Sequence, residues 1–175
     1  MILGLDVSTS ITGVTVLDNA GSMLYNESWD TRNKNKYPTL YEKMRFIKEQ
    51  LLYLSNNFNI EHIFIEQSLQ SFRSGFSSAK TLSTLSRFNG MVSWVSYELF
   101  GKKPIMIAAS SARKASGVVI KRGEKAKEKV LEFVVDKVPG FVVEYTKHGN
   151  PKPGVMDRSD SYIIAKAGLL ECSKK

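Results

Sequence analysis

The chain has 175 residues, of which 42% are hydrophobic and 24% charged, a composition that fits a globular domain and argues against disordered, collagen-like and membrane classes. Lysine and arginine number 25 against 17 acidic residues, and the formal net charge of +8 suits either a solvated surface or a protein that binds phosphates. A single cysteine, Cys172, excludes an internal disulfide and a cysteine-based zinc site, and without a signal sequence or membrane span we expect one cytoplasmic domain over residues 1–175.

The first third of the chain predicts three antiparallel strands and a helix. The segment ILGLDV is apolar on both faces, as expected of a central strand, and ITGVTVLD follows it after a short turn. A hairpin turn with a glycine leads into SMLYNESW, the third strand. Pro38, in the first turn, and an apolar spacing of three and four residues from Leu40 to Leu54 then predict an amphipathic helix that ends near Asn57.

The rest of the chain alternates strands with helices. IEHIFIE and PIMIAA predict two buried strands, separated by a long helix from about Ser77 to Phe100. A lysine-rich helix spans about Gly123 to Val138, and a loop rich in proline and glycine leads to a last helix, DRSDSYIIAKAGLLE. A three-strand meander followed by βαβ crossovers predicts an α/β fold, in which helices cover the faces of a mixed sheet.

Four carboxylates stand where this fold would bring them together. Asp6 ends the first strand, Glu66 ends the strand IFIE, and Asp157 and Asp160 lie near the start of the last helix. Parallel neighbours would place Asp6 and Glu66 at one edge of the sheet, and helical acids three residues apart share a face. Each acid alone has an ordinary alternative: a turn cap for Asp6, an exposed strand end for Glu66, and a helix cap for the pair on the helix.

Taken together, the four acids predict a metal site. Carboxylates that converge at one edge of a sheet repel one another, which either raises a pKa or requires a cation. Oxygen ligands favour a hard divalent ion such as Mg²⁺ or Mn²⁺. Sites built from acids alone hold two such ions about 4 Å apart and catalyse in-line phosphoryl displacement.

The segments MILGLDVSTSITG, IFIEQ and DRSDSYIIA resemble the RuvC family of Holliday junction resolvases, and the resemblance covers essentially the whole chain. It implies an RNase H-like fold, with a five-stranded mixed sheet and helices on both faces. It also implies two Mg²⁺ or Mn²⁺ ions, bridged by Asp6 and held by four catalytic acids: Asp6, Glu66, Asp157 and Asp160. The expected enzyme is a homodimer that makes paired cuts in four-way DNA junctions and leaves 5′-phosphate ends, without a membrane or a small-molecule cofactor. The opening DVSTS in place of the usual DPGS is compatible with a bacteriophage member of the family as well as a bacterial one.

The same resemblance implies residues that contact DNA. Lys114 and Lys125 resemble family lysines that contact the scissile phosphate, which would make both catalytic, whereas the alternative for each is a solvated surface lysine. Leu69 or Phe72 stands near the place where the family inserts a residue into the junction, although an apolar loop residue is often part of the core. Further basic residues predict a phosphate-binding groove or merely a solvated face: Arg73, Lys80, Arg87, Lys121 and Arg122.

Two features have two interpretations each. The long helix carries four large apolar residues that predict either a dimer surface or part of the core: Phe88, Met91, Trp94 and Val95. His148, in the loop before the last helix, is either a proton-transfer residue, as in some RNase H-like nucleases, or polar surface.

Three other functions fit parts of the sequence. An actin-like ATPase opens with a similar strand and turn, but it needs two lobes and additional glycines that approach phosphate. A DNA-binding module without catalysis would use the positive charge alone. A related RNase H-like nuclease could act on RNA, flaps or replication forks, and the sequence does not separate these substrates because such enzymes read backbone shape.

Overall fold

The computed structural model describes residues 1–67 and 79–174, and these residues form five strands and five helices. In chain order the elements are β1 (Ile2–Asp6), β2 (Ile11–Leu17), β3 (Met23–Asp30), α1 (Leu40–Asn57), β4 (His62–Glu66), α2 (Ala79–Phe100), β5 (Ile105–Ile107), α3 (Ala109–Ser116), α4 (Ala126–Lys137) and α5 (Val155–Cys172).

The strands form one mixed sheet in the order β3-β2-β1-β4-β5. The pairs β1/β2 and β2/β3 are antiparallel, whereas β1/β4 and β4/β5 are parallel. This arrangement confirms the predicted meander and the crossovers that follow it. It also explains the apolar opening of the chain, because β1 lies in the middle of the sheet and its first four residues are buried.

Alternating side chains of the central strands enter two separate cores. Leu3 and Leu5 of β1 pack with residues of α1 and α2, among them Leu51 and Val92. Ile2, which points to the opposite face, packs with residues of α3, α4 and α5. The sheet is therefore covered by helices on both faces, as predicted.

Helix α1 begins with a capping box. The Thr39 side chain accepts a hydrogen bond from the backbone of Tyr41, and Glu42 accepts one from the Thr39 backbone. The sequence had placed Pro38 in the first turn of this helix. That prediction is wrong, because Pro38 precedes the cap residue Thr39. The apolar spacing is confirmed, because the residues that the helix buries are Met44, Ile47, Leu51 and Leu54.

Two glycines let α5 lie directly on the sheet. A methyl group added to Gly4 of β1 would come within 2.5 Å of the Ala165 backbone nitrogen. A methyl group on Gly13 of β2 would overlap the backbone carbonyl of Asp157. Glycine is thus required at both strand positions by the close approach of another backbone. The contact at Gly13 determines where the first turn of α5, with its acid, lies on the sheet.

A polar network fastens the same end of α5 to β2 and β3. The Arg158 Nε donates to Asn26 Oδ1 over 2.9 Å, and Asn26 Nδ2 donates to Thr15 Oγ1 over 2.8 Å. The hydroxyls of Thr15 and Ser161 are 2.8 Å apart and complete the chain of hydrogen bonds. Thr15 and Ser161 are fully buried, so these bonds satisfy polar groups that would otherwise destabilise the core.

Three details differ from the sequence predictions. Helix α3 was not predicted; it has only eight residues, ASSARKAS, and its only apolar side chains are alanines. Strand β5 was expected to be buried, but it lies at the edge of the sheet and exposes Met106. Val135 was expected to face inward in α4 and is 50% exposed, whereas Val130 and Val134 are buried.

The apolar residues of α2 divide between core and surface. Phe88 and Val95 belong to the core shared with α1, which excludes them from a dimer surface. Trp94 is 65% exposed, and its ring lies 6.1 Å from that of Tyr97, which is also exposed. Of the four residues predicted for a dimer surface, Trp94 is therefore exposed and Met91 is partly buried. Among the described helices, none is long and apolar enough to cross a membrane.

Candidate active site

Asp6 and Glu66 are the last residues of two adjacent parallel strands. Leu5 of β1 pairs with Ile65 of β4, so the carboxylates that follow them extend from the same edge of the sheet. Helix α2 fixes the backbone of Glu66, because the Asn89 side chain donates a hydrogen bond to the Glu66 carbonyl oxygen over 2.9 Å. The position of both acids thus follows from strand pairing.

The hydroxyl-rich turn after Asp6 closes on itself. Thr12 Oγ1 donates to the Ser8 carbonyl over 3.2 Å, and the Ser10 backbone donates to Ser8 Oγ over 3.1 Å. Within residues 1–67 and 79–174, no hydrogen-bond donor is paired with the Asp6 carboxylate, which therefore does not cap this turn. The turn-cap interpretation of Asp6 is therefore wrong.

The other two acids come from α5. Asp157 lies in the first turn and its side chain is 20% exposed, whereas the Asp160 side chain, one turn further, is 9% exposed. Because α5 lies directly on β1 and β2, both carboxylates are held next to the strand ends. No side chain caps the helix N-terminus, so neither acid serves as the predicted cap.

The charges of these acids act on one another. Burial, followed by the charges of Glu66 and Asp160, raises the pKa of Asp6 well above its ordinary value. Burial and the charge of Asp160 also raise the pKa of Glu66, to about 6. Burial raises the pKa of Asp160 as well, with a smaller contribution from Asp157. The structure therefore brings the four predicted acids into one electrostatic cluster, in which like charges disfavour full ionisation.

Lys127 of α4 lies directly against this cluster. Its Nζ is 3.5 Å from Oδ2 of Asp160 and 3.8 Å from Oδ1 of Asp157. Partial burial lowers the pKa of Lys127, but the charges of the acids, Asp160 above all, outweigh it and raise the pKa above its ordinary value. The sequence prediction had chosen Lys114 and Lys125 as the catalytic lysines and had not chosen Lys127.

Arg113 is a second cation that acts on the cluster. Its charge opposes the rise in the pKa of Glu66 and of Asp160. Arg113 is partly buried in α3, whereas the predicted Lys114 beside it is exposed. Lys125 precedes α4, is 78% exposed, and forms an ion pair over 2.8 Å with Glu128 of its own helix.

The predicted DNA-contacting residues lie on the surface or outside the described residues. Lys80 is exposed at the start of α2, and Lys121 and Arg122 are exposed in the turn between α3 and α4. His148 is exposed in the loop before α5. Three other predicted residues fall in 68–78, outside the described part of the chain: Leu69, Phe72 and Arg73.

The donor chemistry of the cluster fits a divalent cation. Four carboxylates at a partly buried edge provide hard oxygen ligands. Burial, with the charges of neighbouring acids, raises the pKa values of Asp6, Glu66 and Asp160, so a cation would stabilise their ionised forms. Their present positions do not form a finished site. Among the described residues, no three histidine, cysteine, aspartate or glutamate side chains are arranged to hold one ion. The cation that contacts the acids in this arrangement is the ammonium group of Lys127.

Comparison with known proteins shows the fold. No protein-family model matches the chain, and no curated protein sequence does. Among solved structures, RuvC from Thermus thermophilus in complex with a Holliday junction substrate is similar with a TM-score of 0.70 and 16% identity, over 99% of this chain and 94% of that one. A second structure of Thermus thermophilus RuvC has a TM-score of 0.64 and 18% identity, over 99% and 95% of the two chains.

A eukaryotic protein has the same fold. The yeast mitochondrial Holliday junction resolvase Ydc2 is similar with a TM-score of 0.62 and 13% identity, over 99% of this chain and 79% of that one. The chain thus has the RNase H-like fold of RuvC, as the sequence resemblance had implied.

Proposed function

We propose that this protein is a divalent-metal-dependent endonuclease that resolves four-way DNA junctions. The observation that carries the proposal is the cluster of four carboxylates at the adjacent ends of β1 and β4, in a chain with the fold of RuvC. A fold alone does not specify a function. Acids that repel one another at one sheet edge are unfavourable for stability, and binding of metal ions for phosphodiester hydrolysis would explain their presence.

The four acids have distinct expected roles. Asp6 extends from the central strand, its pKa is raised by the charges of all three other acids, and it would help to hold the Mg²⁺ or Mn²⁺ ions. Glu66 and Asp160 would each complete the ligand set of an ion, with Asp157 at the exposed side. When bound, such ions lower the pKa of a water nucleophile and stabilise the leaving 3′ oxygen, which leaves a 5′-phosphate end.

The remaining residues of the site would bind and orient the DNA. The net charge of +8 favours association with a polyanion. Four exposed basic residues lie close in sequence to α4, the helix that carries Lys127. One is in α3, Lys114, and three follow between α3 and α4: Lys121, Arg122 and Lys125. Charges at this place would offset the repulsion between the acid cluster and a phosphodiester.

Resolution of a junction requires two cuts, and we propose that two copies of the chain make them. Each copy presents one cluster of acids, so a dimer would present two. The exposed Trp94 and Tyr97 of α2 offer an apolar surface for this contact. Phe88 and Val95 take no part in it, because they are buried within one copy.

A panel of labelled substrates in Mg²⁺ tests the proposed function. It comprises a four-way junction, a flap, a replication fork, a linear duplex, an RNA–DNA hybrid and a structured RNA. Preferential, paired cleavage of the four-way junction is the expected result. Preference for the flap, the fork or an RNA would support a nuclease with a different substrate. Cleavage of no substrate, together with saturable ATP binding in a separate nucleotide-binding assay, would instead support an actin-like function.

A further inference from the structure

Lys127 differs in its partners from the two nearest lysines, Lys125 just before α4 and Lys129 within it. Lys125 is paired with Glu128, and Lys129 lies 2.7 Å from Glu132 and 3.6 Å from Glu124. These carboxylates belong to α4 or to the residues just before it. The ammonium group of Lys127 instead reaches across to α5, where it lies between the carboxylates of two proposed metal ligands.

The ammonium group of Lys127 lies next to the acid whose charge acts on the other members of the cluster. Asp160 is nearly fully buried, and its charge also acts on Asp6 and Glu66. A single positive charge offsets only part of the repulsion among four acids. A divalent ion brings twice the charge and would coordinate the same oxygen atoms.

The contact that Lys127 makes is weak enough to be replaced. Its side chain is 58% exposed, so water screens the attraction, and its distances to the two oxygen atoms exceed those of a good charge-assisted hydrogen bond. A long side chain with an exposed stem can move its ammonium group into solvent without disturbing the helix.

We propose that Lys127 is a tethered cation that occupies the place of a divalent ion at Asp157 and Asp160 and is displaced when the ion binds. The inference rests on the proposed function, since it takes the same acids as metal ligands. Lys127 thereby sets the concentration of divalent ion at which the site becomes complete.

Calorimetric titration with Mn²⁺ alone, at one pH and one salt concentration, tests this competition. Lys127→Met removes the competing charge and should tighten Mn²⁺ binding roughly fivefold relative to wild type. Lys127→Arg keeps a positive charge in reach of the acids and should bind Mn²⁺ within about twofold of wild type. Lys129→Met makes the same charge change two residues along α4, away from the acids, and should also stay within about twofold.

Chemical labelling distinguishes displacement from mere proximity. Wild-type protein is acetylated briefly with an N-hydroxysuccinimide ester, with and without Mn²⁺, and each lysine is quantified by mass spectrometry. If Mn²⁺ releases the Lys127 amine from its two carboxylates, its labelling should increase several-fold, while labelling of Lys129 should not change. Far-ultraviolet circular dichroism establishes that every variant is folded.

The possible outcomes separate this inference from the proposed function. Mn²⁺ binding to wild type with unchanged affinity in Lys127→Met, or labelling of Lys127 that does not increase, overturns the inference and leaves the metal site intact. No Mn²⁺ binding to wild type or to Lys127→Met overturns the proposed metal-dependent function, and the inference with it.

Discussion

Gly13 in β2 lies so close to the backbone carbonyl of Asp157 in α5 that no side chain fits between them. This contact couples the geometry of the sheet to the position of two of the four acids. Asp6 and Glu66 are fixed by strand pairing, whereas Asp157 and Asp160 are fixed by how closely a helix approaches that sheet. The cluster therefore depends on a residue that carries no chemistry of its own.

Gly13→Ala should displace the first turn of α5 and disrupt the site. The added methyl group overlaps backbone atoms, which cannot move as a flexible side chain can, so we expect a loss of about 1 to 3 kcal/mol in the free energy of unfolding. A shift of about 1 Å in the acids should lower the rate of junction cleavage on the order of a hundredfold. Urea unfolding and single-turnover cleavage measure the two effects.

Gly90→Ala is the matched control for this substitution. A methyl group at Gly90 in α2 meets no atom within 4 Å, so the change should leave the fold intact and stabilise the helix by about 0.5 to 1 kcal/mol. Wild-type stability and cleavage in Gly13→Ala would show that α5 does not need its present distance from the sheet.

Glu66→Gln should change how the stability of the metal-free protein depends on pH. The pKa of Glu66 is about 6 in the folded protein against an ordinary value of 4.5, so between these values the folded state binds more protons than the unfolded state. Stability therefore falls as pH rises through this range, and the ionised carboxylate costs about 2 kcal/mol above it. Glutamine removes that cost.

Urea unfolding in EDTA at pH 7.5 and pH 5 measures this effect. Glu66→Gln should be more stable than wild type at pH 7.5, and its advantage should shrink to less than half at pH 5. Glu49→Gln, at an exposed position on α1, controls for the loss of one carboxylate. An advantage of equal size at both pH values would mean that Glu66 does not titrate in this window.

Lys114→Ala and Lys125→Ala should each weaken junction binding and reduce its dependence on salt. One lost phosphate contact lowers the slope of log K against log salt by about 0.9. Binding of a labelled junction in Ca²⁺ at several salt concentrations measures the slope. Lys137→Ala, at the far end of α4, should leave it unchanged, and unchanged slopes for Lys114→Ala and Lys125→Ala would remove both residues from the DNA interface.

Trp94→Ala should shift the chain from dimer toward monomer. Trp94 is 65% exposed beside Tyr97, and burial of an indole ring in a dimer contact contributes about 2 kcal/mol or more when it is a central residue. Sedimentation equilibrium should therefore give a dissociation constant at least about thirtyfold weaker. Tyr145→Ala, an exposed aromatic in the loop before α5, serves as the control. A wild-type protein that is monomeric with and without junction DNA would contradict the dimer.

The sequence was sufficient for the sheet and for the acids, because both depend on local patterns. Apolar runs that end in a carboxylate identified Asp6 and Glu66 as strand ends, and the order of elements made those strands parallel neighbours. The sequence therefore predicted a convergence of acids without any knowledge of distances.

What the sequence missed depends on packing between distant elements. Helix α3 has only eight residues and no apolar side chain larger than alanine, so its local pattern is weak. Lys125 and Lys127 are indistinguishable in a lysine-rich run, and only the packing of α4 against α5 directs Lys127 toward the acids. The sequence also does not distinguish the buried Phe88 from the exposed Trp94, because it does not show which face of α2 packs on α1.

Cleavage of a four-way junction by wild type and Asp6→Asn tests the central claim most directly. Asparagine preserves the shape of the side chain and removes its charge, so Asp6→Asn should bind the junction at least as tightly as wild type. It should cut the junction at least a thousandfold more slowly in Mg²⁺, and wild type in EDTA should not cut at all. Wild-type cleavage by Asp6→Asn, or equal cleavage with and without the metal, would contradict the account.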